Sequence, residues 1–137
     1  MQWSNRENAG FSGAPAGDLY LPIDPASNRP NVAAQQDAPD SMLNFTRSLL
    51  ELRRERKPLA NKGGFDVLHA KAGQVPFVYK RTAADEQVIV GINPTSSPCS
   101  LFVNSVSTAT PLLVQGARFH AGMLEMASIS FGIFSAS

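Results

Sequence analysis

The 137 residues suit one domain of ordinary size and are enough to bury a real core. Ten Gly and ten Pro exclude a helical bundle and fit a loop-rich or β-rich chain, and a formal net charge of +1 removes the electrostatic case for a dedicated nucleic-acid binder. The single Cys99 excludes an internal disulfide and a multi-cysteine metal site, and no apolar run approaches the ~20 residues that a membrane span needs.

Residues 1–36 read as irregular. Gly10, Gly13, Pro15, Gly17, Pro22, Pro25 and Pro30 recur too closely for a helix or a central strand to run through. The segment nevertheless carries Trp3, Phe11, Leu19, Tyr20, Leu21 and Ile23, apolar groups that need a surface to cover. Residues 37–58 read as one long helix. Asp37 is the expected N-cap, with Pro39 and Asp40 in the first turn. Met42, Phe45, Leu49 and Leu52 follow at helical spacing, flanked by Leu43 and Leu50. Arg53, Arg54, Arg56 and Lys57 suit the negative end of the helix dipole, and Pro58 is the expected stop.

From Gly63 the period changes to 2. Runs at 65–71, 76–82 and 87–93 read as strands, the second and third joined in a hairpin through Ala84-Asp85-Glu86. Val88-Ile89-Val90, apolar on both faces, reads as a central strand. Runs at 100–103, 111–115 and 123–126 are weaker, and the Ser- and Thr-rich stretch 95–110 reads as loop plus one edge strand. Ile129, Phe131 and Ile133 alternate with small residues and predict a last strand with those three on one face. The whole is an α+β chain, mainly β, closing as an antiparallel β-sandwich over residues 63–137. Phe77, Tyr79, Phe102 and Phe131 are expected in its core, which leaves no exposed aromatic platform for stacking sugars.

A search for chemistry returns little. Of eleven carboxylates, Asp37, Asp40, Glu51 and Glu55 belong to the helix, and Asp66, Asp85, Glu86 and Glu125 lie in or beside strands. Glu7, Asp18 and Asp24 lie in the irregular segment, and nothing pairs them. No nucleophile elbow, phosphate loop or metal-ligand spacing occurs, so no cofactor and no metal are expected. His69 reads as a half-buried structural residue, His120 as a loop residue, and Cys99 as inert packing.

The N-terminal segment is more specific. Met1-Gln2-Trp3-Ser4-Asn5 followed by Asn8-Ala9-Gly10-Phe11-Ser12 closely resembles a motif of the α-amylase family, glycoside hydrolase family 13, in its oligo-1,6-glucosidase, α-glucosidase and trehalose synthase branch. Leu21-Pro22-Ile23 resembles that branch's Leu-Pro-Val turn. The stretch 31–35 resembles its Asn-Val-Glu-Ala-Gln, with Ala33 in place of the Glu. Pro39 to Phe45 and Leu49 to Arg53 resemble its last barrel helix, and residues 63–134 resemble, by order and pattern, the Greek-key β-sandwich called domain C.

The resemblance implies that residues 1–36 form the loop after the last strand of a (β/α)₈ barrel, that Gln2 and Trp3 contact sugar in an intact enzyme, and that the barrel is this chain's partner. Such retaining glycosidases need two carboxyl groups about 5–5.5 Å apart. The family draws them from barrel strands that precede the Met-Gln-Trp loop. A barrel takes roughly 250 residues, so the expectation is a non-catalytic C-terminal fragment of an enzyme acting on α-glucosidic bonds, a retaining α-glycosidase or a trehalose synthase. The competing reading is a standalone carbohydrate-binding or assembly module. Further expectations are weak or absent α-glucan binding, self-association through the helix 37–58 or the N-terminal segment, a cytoplasmic location from the absence of a signal-peptide pattern, and no nucleic-acid or membrane partner.

Overall fold

The change of period at Gly63 marks where helices give way to strands in the computed structural model, which describes residues 2–136. Met1 of the Met-Gln-Trp motif and Ser137 of the expected sheet domain lie outside the described residues. Two compact units divide between Leu50 and Glu51.

The first unit holds 3-10 turns at Glu7–Gly10 and Ala16–Asp18, a short helix α1 (Val32–Asp37), and most of α2 (Met42–Glu55). The sequence reading missed α1. Asn31 starts it: the buried side chain accepts from the Ala34 N–H at 3.0 Å through Oδ1 and donates to Asn5 Oδ1, also at 3.0 Å. The expected cap at Asp37 is corrected, because Asp37 is the last residue of α1. Pro39 disfavours helical geometry at the residue before it, and Ala38 is extended at φ −97° and ψ 109°. Ser41 caps α2 instead. Its Oγ accepts from the Asn44 N–H at 3.2 Å and its carbonyl from the Phe45 N–H at 2.9 Å. Pro58 is not the residue that stops α2. The helix ends at Glu55, Arg56 is extended, and Pro58 sits inside a separate 3-10 turn at Lys57–Leu59.

The second unit is a six-stranded antiparallel sheet of β1 (Gly64–His69), β2 (Phe77–Ala83), β3 (Glu86–Asn93), β4 (Cys99–Phe102), β5 (Ala109–His120) and β6 (Met123–Ala136). It curls into a half-barrel, in keeping with the α+β, mainly β class read from the sequence. The order is β1-β2-β3-β6-β4, with β5 paired to β6 off that path. β6 organises it. Along one edge, residues 130–136 pair with β3 and residues 123–126 with β4, while β5 runs along the other edge. The core inside the curl is Val78, Ile89, Phe119, Leu124, Met126 and Phe134, closed by Val103 and Val106. Val88, Ile89 and Val90 are all buried, as a central strand apolar on both faces requires. The 3-10 turn at Lys57–Leu59 packs on β2 and β3 with Pro58 buried.

Three sequence expectations change here. The runs at 123–126 and 129–133 are one strand, interrupted where residues 127–130 stand opposite Gly116 alone. Asn93, buried at the end of β3, spans that irregularity. Its Nδ2 donates to Ala127 O at 2.7 Å and Ser97 O at 2.8 Å, and its Oδ1 accepts from the Thr95 hydroxyl at 2.8 Å. Ile129, Phe131 and Ile133 are consequently not the main core face, since Leu124, Met126 and Phe134 point inward on the opposite parity. Ile129 sits at φ 45° and is 70% exposed. Finally, Phe77 and Phe102 are on the surface and Tyr79 and Phe131 are only half-buried, so the aromatic residues assigned to the core are not there. Their side chains stand on the convex side of the sheet, which alternation alone does not distinguish from the concave side.

Candidate functional site

The expected sugar-contacting residues, Gln2 and Trp3, are positioned by main-chain bonds on both sides. Asn8, Ala9 and Gly10 take consecutive left-handed conformations, at φ 51°, 55° and 73°. That tight turn brings the Ala9 carbonyl to the N–H groups of Trp3 at 2.8 Å and Ser4 at 3.1 Å. The Asn8 side chain, buried, ties the turn down by donating to Ser12 O at 3.1 Å and Ala14 O at 2.6 Å. From the other side, the first N–H groups of α1 need acceptors. The Val32 N–H finds the Gln2 carbonyl at 3.0 Å, and the Ala33 N–H finds the Trp3 carbonyl at 2.9 Å. The sequence offers Asn8-Ala9-Gly10 and Asn31 only as parts of a family motif, and neither the turn, nor the cap, nor their convergence on Gln2 and Trp3 is read from it.

The two side chains part company. Gln2 lines a cavity of about 430 Å³ with Phe11, the stretch 19–23 and Asp24. Its Oε1 is buried without a hydrogen-bond partner among the described residues. Trp3, 49% exposed, is not on that wall. The cavity lies within the roughly 300–1,000 Å³ of small-molecule sites, and its lining is mostly apolar. Asp24 is the sole carboxylate on the wall, and its Oδ1 already accepts from the Ala26 N–H at 2.9 Å. Tyr20, at 97% exposure, leaves one wall open to solvent.

A second, broader depression of about 700 Å³ lies where β4, β5 and β6 meet, with Cys99, Ser100, Arg118 and Glu125 on its surface. Burial pushes the Cys99 thiol up from its ordinary range, which disfavours the nucleophilic thiolate. His69 Nδ1 lies 2.6 Å from Pro76 O at the end of β1, a structural contact. His120, expected in a loop, is the last residue of β5. Among the described residues no group of three His, Cys, Asp or Glu could hold a metal ion, and no helix is long and apolar enough to cross a membrane.

Comparison with known proteins matches the first unit, and the start of the second, to a catalytic domain. The family profile for the α-amylase catalytic domain matches residues 1–62, ending just short of β1. The trehalose synthase/amylase of Mycobacterium tuberculosis is 36% identical over 124 residues, which is 85% of this chain and 20% of that protein. The probable oligo-1,6-glucosidase 2 of Bacillus subtilis is 35% identical over 102 residues, 74% of this chain and 17% of that protein. The crystal structure of the trehalulose synthase of Pseudomonas mesoacidophila superposes on 99% of this chain with a TM-score of 0.84 at 25% identity, using 24% of that chain. The chain belongs to the α-amylase family. Within it, the residues correspond to the C-terminal part of glycoside hydrolase family 13 proteins, and they span about a fifth of the length of the curated relatives they match. The catalytic-domain match covers every residue that lines the Gln2 cavity and stops where the sheet begins.

Proposed function

We propose that this chain is the C-terminal supporting part of an α-amylase-family enzyme acting on α-glucosidic bonds, a retaining α-glycosidase or a trehalose synthase, and that it performs no turnover by itself. The observation that carries this reading is the cavity beside Gln2: it has a mostly apolar wall and one carboxylate, Asp24, where the retaining chemistry needs two. Gln2 binds sugar from this cavity, and Trp3 from outside it, once a barrel supplies the opposite wall. Without that wall α-glucan binding is no tighter than millimolar, because so open a site does not enclose the 70–90% of ligand surface that pockets bury. The enzyme works in the cytoplasm and needs no metal or cofactor from this part.

The test is hydrolysis of nitrophenyl α-glucoside, maltose and isomaltose by the purified chain. No turnover is expected. Activity that survives further purification and disappears in Asp24→Asn would overturn the proposal. A micromolar maltotriose affinity lost in Trp3→Ala would favour a standalone carbohydrate-binding module.

A further inference from the structure

On the convex side of β4, β6 and β5, opposite in parity to the core residues Leu124 and Phe119, three exposed residues stand in one row. Ser100 pairs with Glu125, and Glu125 with Arg118. Arg118 and Glu125 are cross-strand neighbours of opposite charge, yet no ion pair or side-chain hydrogen bond engages either among the described residues. One alternation toward the irregularity in β6, the same side carries Pro98, Ala127 and Gly116 and sinks into the depression of about 700 Å³. The bulge makes the hollow. Residues 127–130 stand opposite Gly116 alone, and Gly116, at φ 66°, adds no side chain to the floor. A Cβ there would lie 3.1 Å from Ser130 Cβ and 3.2 Å from Ala127 Cβ. One alternation the other way stands Phe102, 57% exposed, its ring resting against Gly122, where a Cβ would meet Cε2 at 2.9 Å. Ala127 and Met123, the β6 partner of Phe102, are four strand steps apart, about 13 Å.

The row holds one positive and one negative charge and is neutral as a whole. An anion gains Arg118 but meets Glu125, and a cation meets the reverse. A neutral polyhydroxylated ligand uses both groups: its hydroxyls donate to the carboxylate and accept from the guanidinium, and hydrogen bonds to charged groups are the stronger ones. The small floor admits a sugar ring, and Phe102 offers an apolar face to the next one along the strand. We infer that this depression is a non-catalytic binding site for an α-linked oligosaccharide, outside the catalytic-domain match that ends at residue 62. The α-linked class rests on the function proposed above, whereas the place and chemistry of the site rest on the row itself. The turn at Lys57–Leu59 packs on β2 and β3, on the side of the strand order away from β4. So shallow a hollow binds a short chain weakly. On a long glucan it acts as a tether, raising the local concentration of substrate for an attached active site.

The test titrates maltoheptaose into the whole isotope-labelled chain and follows the backbone amide resonances. Saturable shifts are expected at Ser100, Arg118 and Glu125, with a millimolar Kd. The double variant Arg118→Gln/Glu125→Gln should weaken that Kd about tenfold or more, as loss of hydrogen bonds to charged groups does. Ala127→Leu, which fills the floor and keeps both charges, should weaken it as much, and Trp3→Ala should leave it unchanged. An amide spectrum unaltered away from the row shows that each variant is folded. Shifts confined to Gln2 and Trp3, or shifts at the row that survive both variants, would overturn the inference. So would equal shifts with cellohexaose, or the same shifts with inorganic phosphate or with glycine, a zwitterion. No shift at the row, in a chain that turns over no α-glucoside, would overturn the site and leave the supporting role intact. Turnover by the chain with the row shifts as expected would overturn that role and leave the site.

Discussion

Ile129 carries the clearest local conflict in the chain. A β-branched residue at φ 45° is strained, at a cost of about 1–3 kcal/mol, and at 70% exposure it recovers little by burial. Its main chain is held there because its N–H donates to Thr95 O at 2.8 Å. Asn tolerates the left-handed region, so Ile129→Asn is expected to stabilise the chain by about 1 kcal/mol, read as a raised urea midpoint at unchanged slope. Tyr79 makes a second prediction. Burial raises its hydroxyl above the ordinary value of 10.0, partly offset by the Arg81 charge. The folded state then holds a proton that the unfolded chain gives up. The stabilising contribution is full below the ordinary value and is lost as pH rises through the raised one. Stability should fall across that alkaline window, and Tyr79→Phe should flatten the fall. Urea midpoints measured at stepped alkaline pH in both proteins check this.

At the scale of elements, the helix ends show how sequence signals compete. Asp37, Pro39 and Asp40 all suit a helix start, and the reading placed one there. Two helices compete for that stretch, and the nearer cap, Ser41, wins because Pro39 keeps Ala38 extended. Ser41 also donates its hydroxyl to Gln35 O at 2.6 Å, so it holds α1 as well as α2. Ser41→Ala should cost about 1–2 kcal/mol and should speed amide exchange at Asn44 and Phe45. The strands of the first hairpin were legible because β3 is apolar on both faces and Ala84-Asp85 form a tight turn. β5 and β6 were read too short, because Gly116 in one and the small residues Ala127 and Ser128 in the other interrupt their apolar runs. The side of the sheet that each aromatic faces was hidden for a different reason: period 2 assigns residues to two faces and does not say which one curls inward. At the cavity, Gln2 and Trp3 were legible only through family resemblance, since neither carries a charge or a metal-ligand spacing. The supporting turn at Asn8 and the cap at Asn31 are ordinary in the sequence and gain meaning only through the long-range bond from Asn31 to Asn5.

Across the whole molecule, the exposed apolar side chains decide behaviour in solution. Tyr20, Leu21, Met42 and Leu50 lie largely in solvent, and single monomers rarely expose apolar patches above a few hundred Å². Their exposure supports self-association of the isolated chain through the N-terminal segment or α2. Light scattering on a dilution series should show mass falling with concentration, and Tyr20→Ser/Leu21→Ser should shift the curve toward monomer. A mass that stays monomeric at high concentration would contradict this. The pairing of β6 has a consequence during synthesis. β1, β2 and β3 can pair as they leave the ribosome, but β4 and β5 have β6 as their strand partner, and it is made last. At about 5–20 residues per second, roughly 2–8 s pass between the emergence of Cys99 and that of Ala136. Through that interval half the sheet waits with open edges beside a nascent apolar core, so the chain is most vulnerable to misassembly, and most in need of a chaperone, just before β6 emerges.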